Sequence, residues 1–151
     1  MNLPQYETLE LYAKGSVVTV SLSRANKANA MNEMMWAELE LCFNWLDAEP
    51  EVRVVILAGE GKHFCSGLDL SVFASLQQAA ENMDVARKSE LLRRKILTMQ
   101  GNLTAIERCR KPVLAAVHSS CIGGAVDMIS CCDMRYCSSD AGFSIKEVNL
   151  A

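Results

Sequence analysis

Val113-Leu114-Ala115-Ala116-Val117 runs directly into His118-Ser119-Ser120-Cys121-Ile122-Gly123-Gly124-Ala125-Val126-Asp127. The first five residues are all apolar and follow Pro112, as a fully buried strand requires. Gly123-Gly124 then opens what reads as a helix N-terminus, where free N–H groups and the helix dipole favour negative charge. A buried strand that feeds a helix implies parallel strands joined by crossovers.

The same pattern occurs upstream. Val52 to Ala58 is a β-branched run stopped by Gly59 and Gly61, followed by the loop His63-Phe64-Cys65-Ser66-Gly67-Leu68-Asp69-Leu70. Between the two strands, Leu92, Ile96, Met99, Leu103 and Ile106 mark one face of a helix from about Asp84 to Cys109. Before them, Met31, Met35, Leu39, Cys42 and Leu46 mark another, with Glu33, Glu38 and Glu40 on its solvent side and Pro50 at its end. Leu9, Leu11, Val18, Val20 and Leu22 alternate with polar residues around Lys14-Gly15, which predicts an antiparallel hairpin. Ser23 to Asn29 reads as a loop. The fold class is therefore α/β.

With 151 residues, half of them apolar, 22% charged and a net charge of -3, the chain has the composition of a globular domain. The longest uncharged run, Pro112 to Val126, falls short of the about 20 apolar residues that a spanning helix needs. Met1 to Glu10 has neither the basic nor the apolar region of a signal peptide. Seven Cys, an odd number without Cys-x-x-Cys and with only two His, predict no metal site and suit small buried hydrophobes in a reducing cytosol or organelle matrix. Residues 1–75 carry 5 basic and 10 acidic side chains, and residues 76–151 carry 10 and 8. Arg87, Lys88, Arg93, Arg94 and Lys95 cluster on the second helix without the aromatic residues that single-strand stacking uses, so a solvated face is expected rather than a nucleic-acid site.

Nucleotide folds do not match the glycine loops. Gly61-Lys62 is followed by His63, unlike a P-loop, and Gly123-Gly124 lacks the Gly-x-Gly-x-x-Gly order. Loops at the carboxyl ends of adjacent parallel strands share a crevice, where two converging N–H groups make an oxyanion hole. Asp127 lies one helical turn past Gly124 among apolar neighbours, where an unpaired carboxylate is costly. By itself it also reads as a solvent-facing or salt-bridged acid, and Glu147 as an exposed strand-end residue beside Lys146.

Arg24 to Asn32, Phe64 to Leu70, Ile122 to Asp127 and Cys132 to Cys137 together resemble the crotonase (enoyl-CoA hydratase/isomerase) superfamily, in register over essentially the whole chain. The resemblance implies a ββα spiral of the ClpP/crotonase type, assembly as trimers or hexamers, and binding of an acyl-CoA thioester as its enolate. It assigns the oxyanion donors to the N–H groups of Leu68 and Gly124, the thioester channel to Ser66, Gly67, Leu68, Asp69, Leu70, Gly123 and Gly124, and the adenosine end to Ala28 and Ala30. The two catalytic acids fall on Asp127 and Glu147. Asp at the first position resembles the dienoyl-CoA isomerase branch, with Glu147 as the proton-transfer residue and Asp127 assisting or orienting. The third acid of that branch falls past Ala151, and Gly123-Gly124-Ala125 replaces a commoner triple glycine. No cofactor is implied beyond the CoA of the substrate, and neither a membrane nor a nucleic acid is an expected partner. The alternatives are an enoyl-CoA hydratase, a Δ3-Δ2-enoyl-CoA isomerase, or a non-catalytic or RNA-binding member. Members are longer, so residues 1–151 are expected to be the N-terminal core of one domain whose helical C-terminal part is missing, poorly active alone and prone to associate.

Overall fold

A computed structural model describes residues 1–146 and Val148. The hairpin is β1 (Leu9–Lys14) and β2 (Val17–Leu22), paired antiparallel from Leu9↔Leu22 to Lys14↔Val17. After a 3-10 turn at Ala25–Lys27 come α1 (Glu33–Ala48), β3 (Val54–Gly59), α2 (Leu70–Ala80) and α3 (Val85–Arg108). Next are β4 (Val113–Val117), β5 (Ser120–Ile122), α4 (Gly124–Ser130), β6 (Met134–Cys137) and β7 (Gly142–Ser144). The main sheet has the order β1-β2-β3-β4-β6, and every pair in it beyond the hairpin is parallel. β5 and β7 form a second, two-stranded parallel sheet. The expected crossovers are present: β2 reaches β3 through α1, and β3 reaches β4 through α2 and α3.

The α1 stripe packs as predicted. Met31, Met35, Leu39, Cys42 and Leu46 are all fully buried against the sheet, and the Asn32 side chain caps the helix by accepting from Met35 N–H at 3.0 Å. Glu38, expected on the solvent side, is instead buried. Its carboxylate accepts the N–H groups of Glu7 (2.7 Å) and Thr8 (2.8 Å) and the Thr8 hydroxyl, pinning the entry to β1 onto α1. Helical periodicity places Glu38 at the edge of the apolar face, and only the chain folding back from the N-terminus closes over it. Glu38→Ala leaves the buried Thr8 N–H and hydroxyl without an acceptor and is expected to cost about 3 kcal/mol; urea denaturation of the variant measures the loss.

The α3 stripe holds only in part. Leu103 and Ile106 are buried and Met99 is partly so, but Leu92 and Ile96 are nearly half exposed. No residue from Val85 to Gln100 is fully buried, so the first half of α3 lies outside the main core. The helix α2 has no counterpart in the sequence reading. Val72 is its one buried residue, so no apolar stripe announces it. Its N-cap, Asp69, accepts from Ser71 N–H at 3.0 Å. All seven cysteines are free thiols, and five are buried.

Candidate active site

Both glycine loops leave the carboxyl ends of parallel neighbours, Phe64–Asp69 after β3 and the turn into α4 after β4. Backbone pairing locks them together: Phe64 N–H donates to His118 C=O (3.1 Å), Cys65 N–H to Ser120 C=O (3.0 Å), and Ile122 N–H to Cys65 C=O (3.1 Å). The first loop is also held to the segment before α1. Ser66 N–H donates to Ala28 C=O (2.9 Å), Met31 N–H to Gly67 C=O (2.7 Å), and Asp69 N–H to Met31 C=O (3.1 Å).

These bonds orient two peptide planes. In a trans peptide the C=O and the next N–H point in opposite directions. Gly67 C=O is committed to Met31, so Leu68 N–H is turned away from Met31. Gly123 C=O accepts Val126 N–H at 2.7 Å, which turns Gly124 N–H away from Val126 at the buried start of α4. Neither N–H group has an acceptor among the described residues.

Glycine is required at two positions here. Gly67 has φ 90°, and a Cβ on it would stand 2.5 Å from the Ile122 carbonyl oxygen. Gly123 has φ 56° and ψ -128°, a region that side chains exclude, while its N–H donates to Ser144 C=O at 2.8 Å. At Gly124 a Cβ would meet Trp36 at an ordinary 3.5 Å, so what that position contributes is its N–H.

The loops border a crevice of about 660 Å³. Of the residues assigned from sequence, Ala30, Ser66, Gly67, Leu68, Asp69, Leu70 and Gly123 line it. Ala28 and Gly124 do not: Gly124 is buried at the start of α4, and Ala28 adopts a left-handed turn (φ 49°) whose C=O receives Ser66 N–H. Lys27, Phe73 and Lys146 line the crevice without having been singled out in the sequence. Phe73 belongs to the unread helix α2. Lys27 and Lys146 put positive charge at the rim, where a lysine in a polar loop carries no periodic signal.

Asp69 does more than line the crevice. It caps α2 and pairs with Arg24 at 2.9 Å, and Arg24 also donates to Ala30 C=O. The Ser71 N–H and then the Arg24 guanidinium hold its carboxyl at about 2, below the ordinary 3.8. A depressed folded pKa contributes stability above about 3.8 that is lost as pH falls toward 2. Asp69→Asn keeps the cap but not the charge, so its melting temperature is expected to lie below wild type at pH 6 and to converge on it near pH 2. Thermal melts across that range test this.

Asp127 sits in the first turn of α4. Ala125, Met128 and Ile129 are buried, yet Asp127 is exposed and does not line the crevice, because the helical turn directs it away from the core face. Glu147 lies outside the described residues. On α3 the basic run is largely ion-paired: Arg87 with Asp84, Arg93 and Arg94 with Glu90, and Lys95 with Glu33. Among the described residues no group of three or more His, Cys, Asp or Glu could hold a metal ion, and no helix is long and apolar enough to cross a membrane.

A mostly parallel sheet with two glycine loops bound together at the carboxyl ends of β3 and β4 is the α/β frame of the site. Residues 12–151 match the enoyl-CoA hydratase/isomerase family, and the chain belongs to it. A solved enoyl-CoA hydratase/carnithine racemase from Magnetospirillum magneticum superposes with TM-score 0.84 at 28% identity, over 97% of this chain and 52% of that one. The peroxisomal Delta(3,5)-Delta(2,4)-dienoyl-CoA isomerase of Arabidopsis thaliana is 50% identical over 100% of this chain and 56% of its own length. The mitochondrial enzyme of the same name from Homo sapiens is 46% identical over 96% of this chain and 44% of its own. The chain thus spans about half the length of the curated relatives it matches.

Proposed function

We propose that the chain belongs to an acyl-CoA isomerase that moves both double bonds of a 3,5-dienoyl-CoA into conjugation with the thioester. The carrying observation is the pair of N–H groups without an acceptor among the described residues, Leu68 on the crevice and Gly124 next to its lining residue Gly123, on loops locked together. Enolisation puts negative charge on the thioester oxygen, and two preorganised donors favour that charge over the neutral ground state. The 50% identity to a dienoyl-CoA isomerase supports the double-bond pattern.

Glu147 takes and returns the proton, and Asp127 assists or orients. The shift is proton transfer alone, so CoA enters only as part of the substrate. Lys27 and Lys146 on the rim suit its phosphates electrostatically. Relatives named peroxisomal and mitochondrial support an organelle matrix as the compartment. We propose homotrimers or hexamers as the assembly, supported by apolar side chains such as Leu97 and Phe143, about half exposed on this chain.

The test mixes full-length protein with a 3,5-dienoyl-CoA and follows ultraviolet absorbance of the conjugated 2,4-dienoyl thioester, with 2-enoyl-CoA hydration run in parallel. Conjugation without hydration is expected. Hydration alone would overturn the isomerase reading in favour of a hydratase.

A further inference from the structure

Asn29 is fully buried in the loop before α1, with a left-handed backbone (φ 53°) that asparagine tolerates better than most residues. Its side chain joins two segments. Oδ1 accepts Arg24 N–H at 2.8 Å, while Nδ2 donates to the carbonyls of Glu60 (2.8 Å), His63 (2.9 Å) and Phe64 (3.1 Å). The turn leading out of β3 is therefore bound to the loop leading into α1.

The connection continues through a thiol. Cys65, also fully buried, donates its S–H to Asn29 C=O at 3.0 Å, and its sulfur accepts Gly67 N–H at 3.4 Å. Gly67 is the residue whose carbonyl orientation sets the direction of Leu68 N–H. Burial pushes the Cys65 thiol up to about 12, so it stays protonated and keeps its donor. Neither Asn29 nor Cys65 lines the crevice.

We propose that Asn29 and Cys65 are positioning residues, a buried relay that holds the Ser66–Gly67 peptide and, through it, the Gly67–Leu68 peptide, so that Leu68 N–H faces the thioester oxygen. The inference rests on reading Leu68 as an oxyanion donor. An alanine at 65 leaves Gly67 N–H and Asn29 C=O buried without their shared partner, freeing the Ser66–Gly67 peptide to rock and, through the flexible Gly67, the Gly67–Leu68 peptide that follows it. A serine keeps a donor and an acceptor on a shorter arm and restores much of the constraint.

The experiment uses full-length wild type, Cys65→Ala, Cys65→Ser and Asn29→Ala, with three readouts. These are kcat and KM on 3,5-dienoyl-CoA, the enolate absorbance of bound acetoacetyl-CoA at saturation, and the melting temperature. For Cys65→Ala, kcat and the enolate signal are expected to fall together by about tenfold, as small misplacements of a catalytic group do, with KM within about twofold. Cys65→Ser is expected to recover most of both. Asn29→Ala is expected to lose more, and if it fails to fold the two Cys65 variants decide. A lower melting temperature with wild-type kcat and enolate signal would overturn the proposal, leaving the relay a packing feature. If wild type enolises acetoacetyl-CoA but conjugates no dienoyl-CoA, the isomerase reading fails, and the enolate signal alone judges the relay. If wild type does neither, the oxyanion reading falls and the relay's role falls with it.

Discussion

Replacing Gly67 by alanine is expected to lower kcat on a 3,5-dienoyl-CoA by about 10²–10³-fold, the usual cost of losing one oxyanion donor. A Cβ there would sit 2.5 Å from the Ile122 carbonyl oxygen, a backbone atom that cannot swing aside as a flexible side chain could. The backbone at φ 90° also excludes a side chain on conformational grounds. Relief must come from rotating the Gly67–Leu68 peptide or from parting the two loops, and either displaces Leu68 N–H from Gly124 N–H. KM is expected to change less than kcat, because the oxyanion contact strengthens in the transition state. Steady-state kinetics on the full-length variant check this. A kcat within about threefold of wild type would remove Leu68 from the proposed role, since the effect assigned to one donor is far larger.

Glu147→Gln is expected to reduce isomerisation by about 10²–10⁴-fold, the range that general acid–base groups contribute. The side chain keeps its size and loses its proton chemistry, so acyl-CoA binding should persist. Glu147 lies outside the described residues, and its assignment rests on the twenty-residue spacing from Asp127 and on the family resemblance. Asp127→Asn is expected to cost less, about tenfold, as befits an assisting or orienting group. Exchange of substrate protons with deuterated water, followed by mass, separates proton transfer from binding. If Asp127→Asn proves the more damaging of the two, their roles are reversed.

Much of the fold was legible in the residue pattern. The strand at Val113–Val117 and the one expected over Val52 to Ala58, observed as Val54–Gly59, follow from continuous apolar runs, the hairpin from period-two alternation and α1 from the 3.6-residue period. The sequence did not show α2, since its one buried residue, Val72, is too little to make a stripe. The α3 stripe misled in its first half, where Leu92 and Ile96 are apolar yet nearly half exposed. Periodicity reports which residues could share a face. It does not report whether anything covers that face.

The site divides in the same way. Gly67, Gly123 and Gly124 stand out in the sequence because glycine pairs at strand ends signal unusual backbone, and Ser66 to Leu70 follow from their loop. Asn29 and Cys65 gave no such signal: an asparagine in a polar loop and one cysteine among seven look ordinary until the chain closes around them. Asp69 read as channel lining, while its pairing with Arg24, 45 residues away, adds a structural role that local pattern does not contain.

What the sequence determined by itself was the α/β class, the two glycine loops and the family they resemble, because local backbone preference and the burial period are written in neighbouring residues. The tertiary structure alone decided that Glu38 lies inside, that Asp127 faces outward on α4, and which way Leu68 N–H points. Those outcomes depend on hydrogen bonds between segments far apart in sequence, such as Met31 N–H to Gly67 C=O, and the direction of a peptide plane exists only once both partners are in place.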